Sequence, residues 1–220
     1  MPLFVVATPI GNPQDFSLRA LDTLKHADLI IGEELKVLRQ TLKAAGVQGT
    51  TLEQLNEHSK PQDIEFFVGE CRDKNVALVS DCGTPGFCDP GADLVAACVK
   101  AGVSVRPIPG ASSLMTLLSV CGIRVDQFLF FGFLPTKTDA REQALRTLQK
   151  EPRPFIILET PYRCERFVQD LAAHFPTHFC VLGMDLTGEN ETLVRVRGAE
   201  LLKFGPFANR EPVALLVPKL

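Results

Sequence analysis

No apolar run in this sequence approaches the ~18–20 residues that a membrane-spanning helix needs, and the chain meets Pro9 and Gly11 with no basic segment before them. These absences argue against a membrane span, a membrane partner and a secretory signal peptide, and the chain is expected to act in the cytoplasm. Positive charge is in deficit: 23 Lys and Arg stand against 26 Asp and Glu, a formal net charge of −3. A protein that lives on polyphosphate contacts usually shows a basic stripe, because Lys and Arg replace condensed counterions. Here only small clusters, Lys36 with Arg39 and Lys137 with Arg141, offer a local contact. The seven cysteines are odd in number and none has C-x-x-C spacing, which argues against a disulfide framework or a zinc ribbon. Reduced, mostly buried thiols are expected, with Cys82 and Cys88 read as small buried packing groups rather than reactive thiolates.

Three familiar signatures are missing too. Without G-x-G-x-x-G a standard dinucleotide fold is not expected, and without G-x-x-x-x-G-K-[ST] there is no phosphate-binding P-loop. No G-x-S-x-G elbow supports a hydrolase. His174 and His178 have the spacing of a helical metal pair, but Pro176 between them breaks the helix. They read as surface residues, and no metal is expected.

What is present is a regular alternation. A chain of 220 residues is long enough for one large domain or two small ones. Apolar strands at 3–7, 29–32, 75–79 and 104–108 alternate with helices at 17–26, 33–45, 64–74, 92–99 and 114–120. The strand at 3–7 is near-continuously apolar, as a sheet covered on both faces requires. Repeated strand–helix units call for parallel pairing, the α/β class. The stretch 48–62 is polar and reads as loop. From 128 the texture changes: a β run at 128–134, a charged helix at 138–150, a strand at 154–158, a helix at 162–175, then β runs at 178–182, 193–197 and 213–217 with little helix between them. Strands in succession imply hairpins, so the second sheet is expected to be mixed. The reading is two α/β domains, 1–122 and 123–220.

Chemistry concentrates where strands end. "ATPIGNP" at 7–13, "SDCGTPGFCDPG" at 80–91 and "PIPGASS" at 107–113 each follow a strand of the first half. In an open parallel sheet, ligands sit outside the carboxyl ends of the strands. Glycine and proline there fix unusual dihedrals and clear side chains from a ligand's path. One such loop alone is more often a simple turn; three at equivalent strand ends point to a shared pocket. Ser112 and Ser113 open a helix, where free amides and hydroxyls bind anions. Two acidic sites complete the set. Glu33 and Glu34 stand where a strand gives way to a helix, and can simply complement the helix dipole. His58, in Asn56-Glu57-His58, is a general-base candidate against the plainer reading of a surface histidine.

Together "ATPIGNPQDFSLRALDTLKHADLI", "VALVSDCGTPGFCDPGADLV", "VRPIPGASSLMTLLSVCG" and "FLFFGFLPTK" resemble the tetrapyrrole methylase superfamily, the class III S-adenosylmethionine-dependent methyltransferases. Within it they look most like the branch that 2′-O-methylates a cytidine of small-subunit ribosomal RNA. "ETPYR" at 159–163 is similar to that branch's Glu-Ser-Pro-His-Arg. The resemblance covers nearly the whole chain. It implies two α/β domains, a homodimer, and S-adenosylmethionine folded in a cleft between the domains. By position, the cofactor would touch Pro9, Asp81, Gly83, Thr84, Phe87, Ala111 and Ser112, with Leu158 and Met184 closing from the second domain. Such a cofactor needs no metal, so the protein mainly aligns donor, methyl and nucleophile. Glu33 and His58 are the candidate bases for a ribose hydroxyl.

The chain departs from that branch on the acceptor side. It has Gly32-Glu33-Glu34-Leu35-Lys36 where the branch reads Ala-Glu-Asp-Thr-Arg, and Gly183 to Gly188 where the branch reads Ala-Arg-Glu-Leu-Thr-Lys. An arginine is thus replaced by Met184 and a lysine by Gly188, changes expected to weaken a grip on phosphate. The chain also stops at Leu220, short of the extension that longer ribosomal enzymes carry. RNA is the expected acceptor by resemblance. The alternatives are a small molecule such as a tetrapyrrole, and a binding protein that keeps the pocket without catalysis.

Overall fold

The structure is a computed structural model that describes residues 1–89 and 91–218; Pro90, in the second glycine-rich loop, lies outside the described residues. It divides into two units, Met1–Ser112 and Ser113–Leu220.

In the first unit β1 (Leu3–Val6), β2 (Leu29–Gly32), β3 (Thr51–Gln54), β4 (Val76–Leu78) and β5 (Val105–Ile108) form one sheet. Its order is β3-β2-β4-β1-β5 and every pairing is parallel. Helices α1 (Leu18–Lys25), α2 (Leu35–Ala44), α3 (Pro61–Asp73) and α4 (Gly91–Lys100) supply the crossovers. Neighbouring residues of a strand serve opposite faces. Val6, Ile30, Ala77 and Ile108 pack with Leu24 of α1 and Leu38 and Leu42 of α2. Leu3, Ile31, Val76 and Leu78 pack with Phe67 and Cys71 of α3 and Leu94 and Cys98 of α4. Burial on both faces is why β1, β2 and β4 read as unbroken apolar runs.

β3 corrects the sequence reading, which took 48–62 as loop. It pairs only with β2 at the sheet's edge, and of its four residues none is fully buried. An edge strand facing water needs no apolar run, so Thr51-Leu52-Glu53-Gln54 carried no strand signal.

In the second unit β6 (Leu129–Phe133), β7 (Phe155–Leu158), β8 (Phe179–Met184), β9 (Thr192–Arg197) and β10 (Pro212–Val217) order as β6-β7-β10-β8-β9. Only β6 and β7, joined through α6 (Thr138–Leu148), are parallel; the other three pairings are antiparallel. This is the mixed sheet that successive β runs called for. α7 (Cys164–His174) lays Phe167 and Leu171 on a core that includes Phe155 and Phe175. The division into units falls before α5 (Ser113–Val120), earlier than the change of texture near 122. The reason is packing: Leu117 of α5 is fully buried, and an added Cβ on Gly183 of β8 would stand 3.1 Å from it.

His174 and His178 are not the plain surface residues expected. His174 is half-buried and pairs with Glu142 at 3.2 Å. His178 packs against the rings of Phe175 and Phe155, with centroids 5.1 and 6.1 Å away. Burial pushes its pKa below the ordinary value, so the imidazole behaves as a neutral aromatic wedge. Among the described residues no group of His, Cys, Asp and Glu is arranged to hold a metal, and no helix is long and apolar enough to cross a membrane.

Candidate functional site

The three glycine- and proline-rich loops follow β4, β1 and β5, which are neighbours in the sheet. They are tied together by Thr8 and Thr84. The Thr8 amide donates to the carbonyl of Gly83 at 2.9 Å, and its hydroxyl reaches the carbonyls of Ser80 and Gly83 at 3.2 and 3.3 Å. The Thr84 hydroxyl donates to the carbonyl of Ala111 at 2.9 Å. Two glycines make this closeness attainable. Gly83 has φ +82°, and a Cβ there would lie 3.1 Å from Ile10 Cγ2. At Gly110 a Cβ would come within 2.9 Å of the Ala7 Cβ. Any larger residue would force the loops apart.

The predicted cofactor residues of this unit therefore do come together. Pro9, Asp81, Thr84, Ala111 and Ser112 are half-buried, Gly83 is buried, and Phe87 is exposed. Leu158 and Met184 belong to the second unit, where they share one end of the sheet: Leu158 pairs with Val213 and Met184 with Pro212 on either side of β10. Leu158 is half-buried, while the Met184 side chain lies wholly in that unit's core. Cys82 and Cys88 are exposed, contrary to their reading as buried packing groups. A loop at a strand's carboxyl end faces out of the sheet, so its small residues have no core to enter.

Next to the loops stands a set of carboxylates without cations. Asp81 accepts from the Glu34 amide at 3.1 Å, and Glu34 in turn caps α2 by accepting from the Lys36 amide. Asp89 accepts from the amides of Gly86 and Gly91. Glu33, spared from capping, is half-buried. Among the described residues none of Glu33, Asp81 and Asp89 forms an ion pair. Burial raises the pKa of all three, and at Glu33 the charges of Asp81, Asp89 and Glu57 raise it further. His58 is not drawn into this set; its side chain is 84% exposed and lies 3.8 Å from Glu57.

One feature escaped sequence reasoning. Arg141, read there as part of a basic surface cluster with Lys137, is only 1% exposed. Its Nη1 donates to Glu159 Oε2 at 2.7 Å and its Nε to Asp170 Oδ2 at 2.6 Å. Glu159 Oε1 accepts from the Thr160 amide at 2.8 Å and pairs with Arg163 at 2.5 Å. The ends of "ETPYR" are thus clamped together, a link foreshadowed by a Glu and an Arg four residues apart between a strand and a helix. Arg141 itself sits in a charged helix that looks solvated, and nothing in its sequence neighbourhood marked it. Asp185, which stands where the resembling branch has a glutamate, pairs with Arg210 and accepts from the Glu211 amide at 2.7 Å.

The profile of the tetrapyrrole (corrin/porphyrin) methylases matches residues 2–202. The chain belongs to this family. Relatives include ribosomal RNA small subunit methyltransferase I of Neisseria meningitidis serogroup B, 41% identical over 193 residues, or 87% of this chain and 66% of that protein. The protein of that name from Leptospira biflexa is 35% identical over 215 residues, covering 97% of this chain and 90% of its own. The chain thus spans about two thirds of the Neisseria protein but nearly all of the Leptospira one, so length carries no argument about the acceptor. Among solved members of the fold, diphthine synthase superposes with a TM-score of 0.74 at 15% identity, covering 99% of this chain and 89% of that one. Uroporphyrin-III C-methyltransferase from Thermus thermophilus, complexed with S-adenosylhomocysteine, gives 0.66 at 17%, covering 99% and 97%.

Proposed function

We propose that the protein is an S-adenosylmethionine-dependent methyltransferase whose acceptor is a ribose hydroxyl of small-subunit ribosomal RNA. The observation that carries the reading is the joined set of strand-end loops with unpaired carboxylates beside it. The fit to this cofactor is electrostatic as well as steric. Its sulfonium and ammonium groups are cations, and Asp81, Glu33 and Asp89 are half-buried acids with no cation of their own. Gly83 and Gly110 let the loops close on one another, and Pro9, Thr84, Ala111 and Ser112 would flank the adenosine. The acceptor comes from the relatives' names, and the cytoplasm and a homodimer are the setting that goes with it.

When bound, S-adenosylmethionine supplies an already activated methyl group. The chain's residues would align the acceptor oxygen for in-line displacement and take up the hydroxyl proton. Glu33 is the better-placed base. Its raised pKa makes it a stronger proton acceptor than an ordinary carboxylate, and the bond from Gln54 Nε2 to its backbone carbonyl at 2.9 Å holds its main chain. Glu159, buried and gripped by Arg141 and Arg163, would set the position of Leu158 beside it rather than take part in chemistry.

Labelled methyl transfer to small ribosomal subunits, free RNA and tetrapyrroles tests the proposal. Incorporation into the subunit's RNA is expected; incorporation into a tetrapyrrole alone, or into none of them with the cofactor bound, would overturn it.

A further inference from the structure

Where β3 ends, the first unit opens into a recess of about 390 Å³, within the size range of small-ligand sites. Its walls come from the polar loop after β3 and from the start of α3, and include Gln54, Asn56, His58, Asp63, Phe66 and Phe67. Neither lysine nor arginine lines it, while Glu53 and Asp63 do, so it is unsuited to phosphate. Two amides in it are each held by a single bond and left with a free end. Asn56 Oδ1 accepts from the His58 amide at 2.9 Å, and among the described residues no bond is made by its NH₂, a donor. Gln54 Nε2 donates to the Glu33 carbonyl at 2.9 Å, which leaves its Oε1 as an acceptor. The Phe66 ring is 54% exposed and stands 5.5 Å from the buried ring of Phe67, tilted at 58°, so a fixed aromatic surface borders the amides.

A fixed donor, a fixed acceptor and an exposed ring, with no cation, complement a flat neutral heterocycle that offers adjacent acceptor and donor atoms. We propose that this recess binds the nucleobase of the acceptor nucleotide, stacked on Phe66 and paired on its edge with Asn56 and Gln54. The assignment rests on the RNA reading above and locates its acceptor. Gln54 connects the two sites physically, since it lines the recess with one end and grips Glu33 with the other. Base stacking on an aromatic side chain accounts for about 1–3 kcal/mol, enough to change acceptor affinity about tenfold.

Two measurements separate failure of this site from failure of the RNA reading. In heteronuclear NMR with cytidine and adenosine as probes at about 20 mM, in the millimolar range of weak binding, the side-chain amide signals of Asn56 and Gln54 should shift in the wild-type protein. The shifts should vanish in Phe66→Ala and return in Phe66→Tyr, which keeps the stacking face. Absent shifts, or shifts that survive in Phe66→Ala, overturn the site. In methyl transfer to small ribosomal subunits, Phe66→Ala should raise KM about tenfold or more, matching the loss of one stacked base, with S-adenosylhomocysteine affinity unchanged. Unaltered kinetics in that variant also overturn the site. Nucleoside-dependent shifts from a protein that methylates no RNA would support the recess and defeat the RNA reading.

Discussion

Two sets of acidic side chains, one in each unit, are handled in opposite ways. In the second unit Glu159 is surrounded by donors: Arg141, Arg163 and the Thr160 amide take both its oxygens, and Asp170 balances Arg141 from the other side. Asp185 is likewise held by Arg210. In the first unit Glu33, Asp81 and Asp89 are half-buried with at most backbone amides for company, and their pKa values are raised. Charges that are closed on themselves hold structure; charges left open at the ends of parallel strands cost stability and retain affinity for a cation. In the proposed reading the closed set is structural and the open set faces the cofactor.

Breaking the closed set should have the largest effect. Arg141→Met leaves Glu159 buried with one cation fewer, and is expected to destabilise the second unit by about 3–5 kcal/mol in denaturant unfolding. Adding Glu159→Gln should recover part of that loss; a single variant as stable as wild type would show that the network is dispensable. Next comes the loop junction. Gly83→Ala demands φ +82° of a residue with a Cβ and pushes that atom onto Ile10, so a loss of about 1–3 kcal/mol is expected, together with weaker cofactor binding. Removing an open charge should do the reverse to stability. Asp81→Ala should leave the unfolding midpoint unchanged or slightly higher while lowering S-adenosylmethionine affinity about tenfold, or about 1.4 kcal/mol.

The smallest effect is on pH dependence. Glu33, Asp81 and Asp89 have folded pKa values above their ordinary 4.5, 3.8 and 3.8, so the folded chain holds these protons more tightly than the unfolded one. Their ionisation therefore opposes folding at neutral pH, and that opposition is relieved as pH falls through the raised values, the reverse of a carboxylate held low by a partner. Asp81→Asn removes one such group. Its stability advantage over wild type should be greatest near about pH 7 and shrink towards about pH 4 in paired unfolding curves. An advantage that grows on acidification would contradict the sign.

Most of the fold was legible because burial on two faces writes itself into the sequence. The runs Leu29-Ile30-Ile31 and Val76-Ala77-Leu78 lie in the middle of a covered sheet, and their continuity declares it. β3 was not legible, because at an edge half of the requirement disappears. The strand-end loops were legible from glycine and proline, whose backbone geometry is local. What joins them, a hydroxyl of Thr8 or Thr84 on a carbonyl of another loop, has no local signature. Arg141 was misread for the same reason: a buried guanidinium and a solvated one look alike in a charged helix, and only the carboxylates it meets from 159 and 170 distinguish them.

The central claim is that the open carboxylates and joined loops of the first unit hold S-adenosylmethionine. Calorimetric titration of the wild-type protein and of Asp81→Ala with S-adenosylmethionine and S-adenosylhomocysteine tests it most directly. The account predicts that wild type binds both and that the variant loses about tenfold, with the larger loss for the positively charged sulfonium form. No binding to wild type at about millimolar cofactor, or equal affinity in the variant, would contradict it.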